Sequence, residues 1–143
     1  FAYLPMRNEP NLMDLFSKVE HSKTLAIPRI AEKNLEFYVW KTDDPLEKHR
    51  WGDEPFANQK FHTTPDSNTV LLIPSLSMDL RGYRLGYGGG YYDRFLSKWN
   101  ASGCTTVGVT ISALVEKKLP EDPWDISLDY IATETYIHRA ELR

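Results

Sequence analysis

"RLGYGGGYYDRFL", residues 84–96, decides how this chain is read. Four of the eight glycines, Gly86, Gly88, Gly89 and Gly90, fall within five positions. Just upstream, "TVLLIP" (69–74) is a near-continuous apolar run, the pattern of a central parallel strand buried on both faces. Downstream, Tyr91, Tyr92, Phe95, Leu96 and Trp99 share one helical face. The glycines therefore join a buried strand to a helix. Successive backbone N–H groups at such a junction converge on an anion, and the positive end of the helix assists them. Glycine also tolerates positive φ and lets a ligand oxygen approach the amides. A phosphate is the expected visitor. The plainer reading is a turn that only bends the chain.

Spacing excludes the two commonest phosphate loops. A P-loop needs Gly-Lys-Ser/Thr at its end, and no lysine follows these glycines. A dinucleotide fingerprint starting at Gly86 needs a glycine where Tyr91 stands.

The flanking residues add chemistry. Arg84 carries a fork of donors suited to bidentate phosphate binding; the competing reading pairs it with Asp79 or Asp93. Asp93 falls in the first helical turn. Beside bound phosphate a carboxylate there holds Mg²⁺; otherwise it only favours the helix start. Tyr91 and Tyr92 either stack on a flat ligand or fill the core.

Elsewhere, "FAYLP" (1–5) reads as a strand, "NLMDLFSKVEH" (11–21) as a helix and "TLAIPRI" (24–30) as a buried strand. After a turn at "AEKN", the alternation in "LEFYVWK" (35–41) reads as a half-exposed strand, with Tyr38 and Trp40 outward. Residues 43–68 are charged and aperiodic and read as a long surface loop with one short helix, functional or merely solvated. "GCTTVGVTIS" (103–112) is a buried strand, completing a right-handed βαβ unit with 69–74. "ALVEKKLP" (113–120) suggests a short helix and "LDYIATET" (128–135) a last strand.

With 143 residues, 41% of them hydrophobic, residues 1–143 suit one domain. A net charge of −3 offers no general nucleic-acid surface, and no apolar run is long enough to span a bilayer as a helix. The single cysteine, Cys104, fits a reducing cytoplasm and reads as a small buried hydrophobe. His21, His49, His62 and His138 make no metal-ligand spacing and read as surface residues. The start at Phe1, directly in a strand pattern, suggests that another segment precedes it.

"LLIPSLSMDLRGYRLGYGGGYYDRFL" (71–96) resembles the signature of the 5-formyltetrahydrofolate cyclo-ligase (5,10-methenyltetrahydrofolate synthetase) family. The pattern there is an apolar strand, Pro-Gly-Leu-Ala/Gly-Phe-Asp, then Arg-Leu-Gly-x-Gly-x-Gly-Tyr-Tyr-Asp. "YLPMRNEPNLMDLF" (3–16), "TLAIPRI", "GDEPF" (52–56) and "LPEDPWDISLDYIATE" (119–134) extend the likeness over essentially the whole chain. The resemblance implies an α/β fold, three-layer α/β/α with a mostly parallel sheet, like that of ribose-5-phosphate isomerases and CoA transferases. It implies an enzyme, a ligase that uses ATP and Mg²⁺ to turn 5-formyltetrahydrofolate into 5,10-methenyltetrahydrofolate. Cytoplasmic location, a monomeric state and small-molecule substrates, with no nucleic-acid or membrane partner, go with it.

Carried over by position, the resemblance gives the ATP phosphates to Arg84, Gly86, Tyr87, Gly88, Gly89, Gly90 and Tyr91, and Mg²⁺ to Asp93. Arg84 and Asp93 carry the catalytic charge stabilisation. Glu9, Trp51, Met78, Tyr91 and Tyr92 line the folate. Ser75 stands where the family usually has glycine and Met78 where it has phenylalanine, a residue able to fill irregular apolar space. Some members carry a cation between the glycines, where this chain has Tyr87 and Gly89. No counterpart of the family's Lys/Arg-rich first helix is found in these residues. The alternatives are a member that binds folate or nucleotide without turnover, a sugar-phosphate enzyme of similar architecture, and a partner-binding domain with no ligand at the glycines.

Overall fold

A computed structural model describes residues 1–6, 9–49 and 52–141. Its organising element is β6, Val70–Pro74. Leu71 and Ile73 are fully buried against Phe95 and Leu96 of helix α2, Tyr91–Trp99. The residue between them, Leu72, packs instead on the cluster around Phe16 of helix α1, Met13–Val19. Both faces of β6 are thus covered, which is why its sequence is apolar without alternation.

β6 pairs in parallel with β9, Thr105–Val109, and β9 in parallel with β11, Tyr130–Ala132. The register sets Pro74, Val109 and Ala132 side by side, so the carboxyl ends of the three strands are level. A strand not expected from the sequence, β12 (Ile137–Arg139), runs antiparallel on β11.

A second sheet is antiparallel. β1 (Ala26–Ala31) and β2 (Asn34–Val39) form a hairpin whose turn places Glu32 at φ 58°, and β5 (His62–Thr63) pairs with β2. The expected mostly parallel sheet is met in part: in the order β12–β11–β9–β6 two of the three pairings are parallel, while the other sheets are antiparallel or mixed, so the fold is a mixed α/β arrangement.

Five further expectations are corrected. Residues 43–68 are no open loop: β3 (Leu46–His49) and β4 (Gly52–Pro55) form a hairpin, followed by a 3₁₀ turn at Gln59–Phe61. Leu46 packs on the cluster around Phe16, but polar bonds fasten the rest of this hairpin. Buried Glu54 accepts from Ile30 N at 2.6 Å, and Arg29 meets Glu47 at 2.5 Å. Residues 113–120 hold a 3₁₀ turn and the short strand β10 (Val115–Glu116), not a helix. β10 runs parallel to β7, Ser77–Asp79. "FAYLP" is not a strand, although Ala2 N donates to Ala26 O and Leu72 N to Phe1 O. Tyr38 and Trp40 are buried rather than outward, since the second face of β2 is covered too. Of the histidines, His21 and His62 are exposed, but His49 and His138 are half-buried. Among the described residues no helix is long and apolar enough to cross a membrane.

Candidate functional site

Between β6 and α2 the chain makes an excursion that aims Arg84. It runs out along β7, turns, and returns as β8, Arg84–Leu85, antiparallel to β7. Asp79 holds that turn. Its side chain is fully buried and accepts from Arg81 N at 3.0 Å, Tyr83 N at 3.3 Å, Leu119 N at 2.9 Å and Arg81 Nη2 at 2.8 Å. Gly82, at φ 91°, has no room for a side chain: a Cβ would stand 2.3 Å from the Leu128 carbonyl oxygen. Of the two acids weighed as partners of Arg84, Asp79 is thus taken by Arg81.

Arg84 comes to rest at the carboxyl ends of the parallel strands, where open α/β sheets bind ligands. Its side chain is only 7% exposed. Nη2 donates to the Pro74 carbonyl at 3.0 Å and Nε to Ser75 Oγ at 3.3 Å. Its only close carboxylate among the described residues is Asp93, 3.6 Å from Nη1, longer than an ordinary charge-assisted bond. Burial pulls the guanidinium's pKa below its usual value. Its two hydrogen bonds thus go to neutral oxygens, at the start of the loop that follows.

That loop is open backbone. Gly86 packs on the guanidinium: a Cβ there would lie 2.7 Å from Arg84 Nη2. Gly88 sits at φ 92° with nothing within 4 Å of where a Cβ would be. Gly90, at φ 71°, opens α2 without any side-chain cap. Among the described residues, no backbone group accepts from the N–H of Gly86, Gly88, Gly89 or Gly90. Helix starts and turns normally satisfy such donors, so these amides are available to an external acceptor.

The other expected residues separate clearly. Asp93 is 62% exposed beside Arg84, in the first turn of α2. Tyr92 is half-buried, with the Arg84 guanidinium 5.7 Å from its ring centre. Burial raises its hydroxyl's pKa, with Arg84 opposing. Glu9 joins them from the start of the chain: burial raises its pKa, while the bond from Met6 N at 2.7 Å and the charge of Arg84 oppose. Tyr87 is exposed, and Tyr91 lies against Gly89. Met78 is not brought to the loop; its fully buried thioether packs against Gly108 in the core. Trp51 lies outside the described residues.

Sequence reading missed Tyr3 and the bond that Arg84 donates to Ser75. Tyr3 is buried, donates to the Pro10 carbonyl at 3.1 Å, and has its pKa raised by burial and by nearby Glu9 and Tyr87. It lies far from the loop in sequence, so no local pattern marks it. Ser75 does carry a signal, since it stands where the motif usually has glycine.

Residues 1–134 match the sequence profile of the 5-formyltetrahydrofolate cyclo-ligase family. The chain belongs to this family. A 5-formyltetrahydrofolate cyclo-ligase of Haemophilus influenzae is 32% identical over 95 residues, covering 66% of this chain and 51% of that protein. The Escherichia coli protein of the same name is 38% identical over 68 residues, covering 48% of this chain and 37% of that one. The chain thus spans about half or less of the length of these two relatives. Among solved structures, the 5,10-methenyltetrahydrofolate synthetase of Aquifex aeolicus superposes with a TM-score of 0.81 at 31% identity, over 99% of this chain and 71% of that one. That of Mycoplasma pneumoniae gives 0.64 at 25% identity, over 91% and 70%. The mixed α/β fold described above is therefore the fold of this family.

Proposed function

We propose that this chain carries the site of an ATP- and Mg²⁺-dependent ligase that converts 5-formyltetrahydrofolate to 5,10-methenyltetrahydrofolate. The observation that carries this reading is the buried Arg84 guanidinium facing a loop of undonated amides at an uncapped helix start. Family membership names the chemistry for which such an arrangement is suited.

The residues fit a polyphosphate. The open space at Gly88 admits phosphate oxygens to the amides, and Arg84 meets their charge from the sheet side. Mg²⁺ keeps most of its waters and needs only one or two carboxylates beside the phosphates, a demand that exposed Asp93 meets in part. When bound, the ion would neutralise charge on the transferring phosphoryl group.

In this proposal the N5-formyl oxygen attacks the γ-phosphorus and ADP leaves. N10 then closes on the formyl carbon, and departure of inorganic phosphate leaves the methenyl bridge. Such transfers ask for positioning and charge stabilisation rather than a protein nucleophile. The half-buried Glu9, with its raised pKa, and Tyr92 would border the formyl end, and Arg84 with the loop amides would stabilise the phosphoryl group. Cys104 has no role in this scheme.

Asp93→Ala tests the assignment. Asp93 is largely solvated, so the fold persists by circular dichroism. Formation of the methenyl product, followed by its near-ultraviolet absorbance, falls at least about 100-fold, in the range seen when a group stabilising transition-state charge is removed. Unchanged turnover removes Asp93 from the mechanism. Folate and nucleotide binding by the unaltered chain without turnover makes it a binding member of the family instead.

A further inference from the structure

We propose that Arg94 supplies the cation that the glycine loop itself lacks, closing on bound phosphate from the helix side while Arg84 holds it from the sheet side; this rests on reading the loop as the nucleotide's phosphate site. The loop offers only Tyr87 and Gly89 between its glycines. One turn into α2, Arg94 folds back over the helix start. Its Nη1 lies 2.6 Å from where a Cβ on Gly90 would stand, so the bare Cα of Gly90 is what admits it. Its guanidinium lies 5.0 Å from the centre of the Tyr91 ring, and Nε donates to the Lys33 carbonyl at 2.7 Å.

These contacts are unusual for an exposed arginine, whose long side chain loses rotamer freedom when fixed. The placement also opposes electrostatics, because a cation is disfavoured at the positive end of a helix. The arrangement is explained if the cation is set for an anion. The single anchor uses Nε only. Among the described residues no carboxylate pairs with Arg94, and its Nη groups are left as a fork matched to phosphate oxygens. Phosphate seated on the free amides of Gly88 to Gly90 would then lie between two guanidinium groups.

The test uses Arg94→Ala, and Arg94→Ala combined with Gly89→Lys, which places a cation in the loop. Each is titrated with inorganic tripolyphosphate by calorimetry and assayed for the KM of ATP and of 5-formyltetrahydrofolate. Arg94→Ala is expected to weaken tripolyphosphate and raise the KM for ATP about tenfold, the worth of a charge-assisted hydrogen bond. Its binding should also depend less steeply on salt. The KM for the folate and the melting temperature stay near their original values. The double variant regains most of the loss.

Tripolyphosphate binding unchanged in Arg94→Ala overturns the inference. So does a loss that comes with an equal rise in the folate KM and a lower melting temperature, and that Gly89→Lys does not reverse, since that is the pattern of a structural residue. Tripolyphosphate binding in the original chain without turnover overturns the proposed activity but leaves Arg94 measurable; no tripolyphosphate binding at all overturns both.

Discussion

At the scale of single residues, Arg84 joins the fold to the chemistry. It is held from two places, by hydrogen bonds to Pro74 and Ser75 at the end of β6 and by the charge of Asp93 in the first turn of α2. Lysine keeps the charge but loses the fork, so Arg84→Lys should lower kcat/KM about 10- to 100-fold, the worth of one or two charge-assisted bonds. Steady-state assays across ATP concentration read this directly, and an unaltered kcat/KM would show that charge alone suffices.

Glu9 makes a prediction of opposite electrostatic sense. Burial raises its pKa above the value in the unfolded chain. The folded state therefore holds its proton more tightly, and stability is lost as pH rises from the unfolded pKa through the folded one. Across that window above the ordinary glutamate pKa, Glu9→Gln should melt less pH-dependently than the original chain. Parallel melting curves would exclude Glu9 as a buried acid. Glu9 was marked only through family resemblance, and Tyr3 not at all, because both come from the far end of the sequence and act on the site through burial and charge rather than through a local motif.

At the scale of elements, legibility followed apolar periodicity. β6, α2 and β9 were readable because their burial is written as hydrophobic runs or a helical stripe. The β3–β4 hairpin was hidden because "LEKH" and "GDEP" carry little apolar surface; Glu54, Arg29 and Glu47 hold it through polar bonds that no periodicity reports. "ALVEKKLP" has the composition of a helix, yet Val115 and Glu116 pair in parallel with Met78 and Asp79, so tertiary pairing overrides local preference. The turn from β7 to β8 belongs to this scale, and its keystone is Asp79. Four donors converge on one buried carboxylate, one of them from the distant Leu119. Asp79→Ala should cost about 3–5 kcal/mol, the cost of breaking a buried charge pair. It should lower the melting temperature by roughly 10 °C. Activity should fall with it, since the turn sets where Arg84 returns. A melting temperature within a degree or so of the original would show the turn is held by other means.

At the scale of the whole molecule, one design recurs. Level carboxyl ends of parallel strands, a buried arginine and an uncapped helix meet at one loop whose own side chains are mostly hydrogen atoms. The antiparallel β1–β2–β5 sheet and the β12 strand make the sheet structure more mixed than a purely parallel expectation allows, yet they leave this junction open. The most direct measurement is a ¹H–¹⁵N correlation titration of the ¹⁵N-labelled chain with Mg²⁺ and a non-hydrolysable ATP analogue. The account predicts that the amide signals of Gly86, Gly88, Gly89 and Gly90 move together and saturate with the analogue. Nucleotide binding that leaves those four signals in place would contradict it.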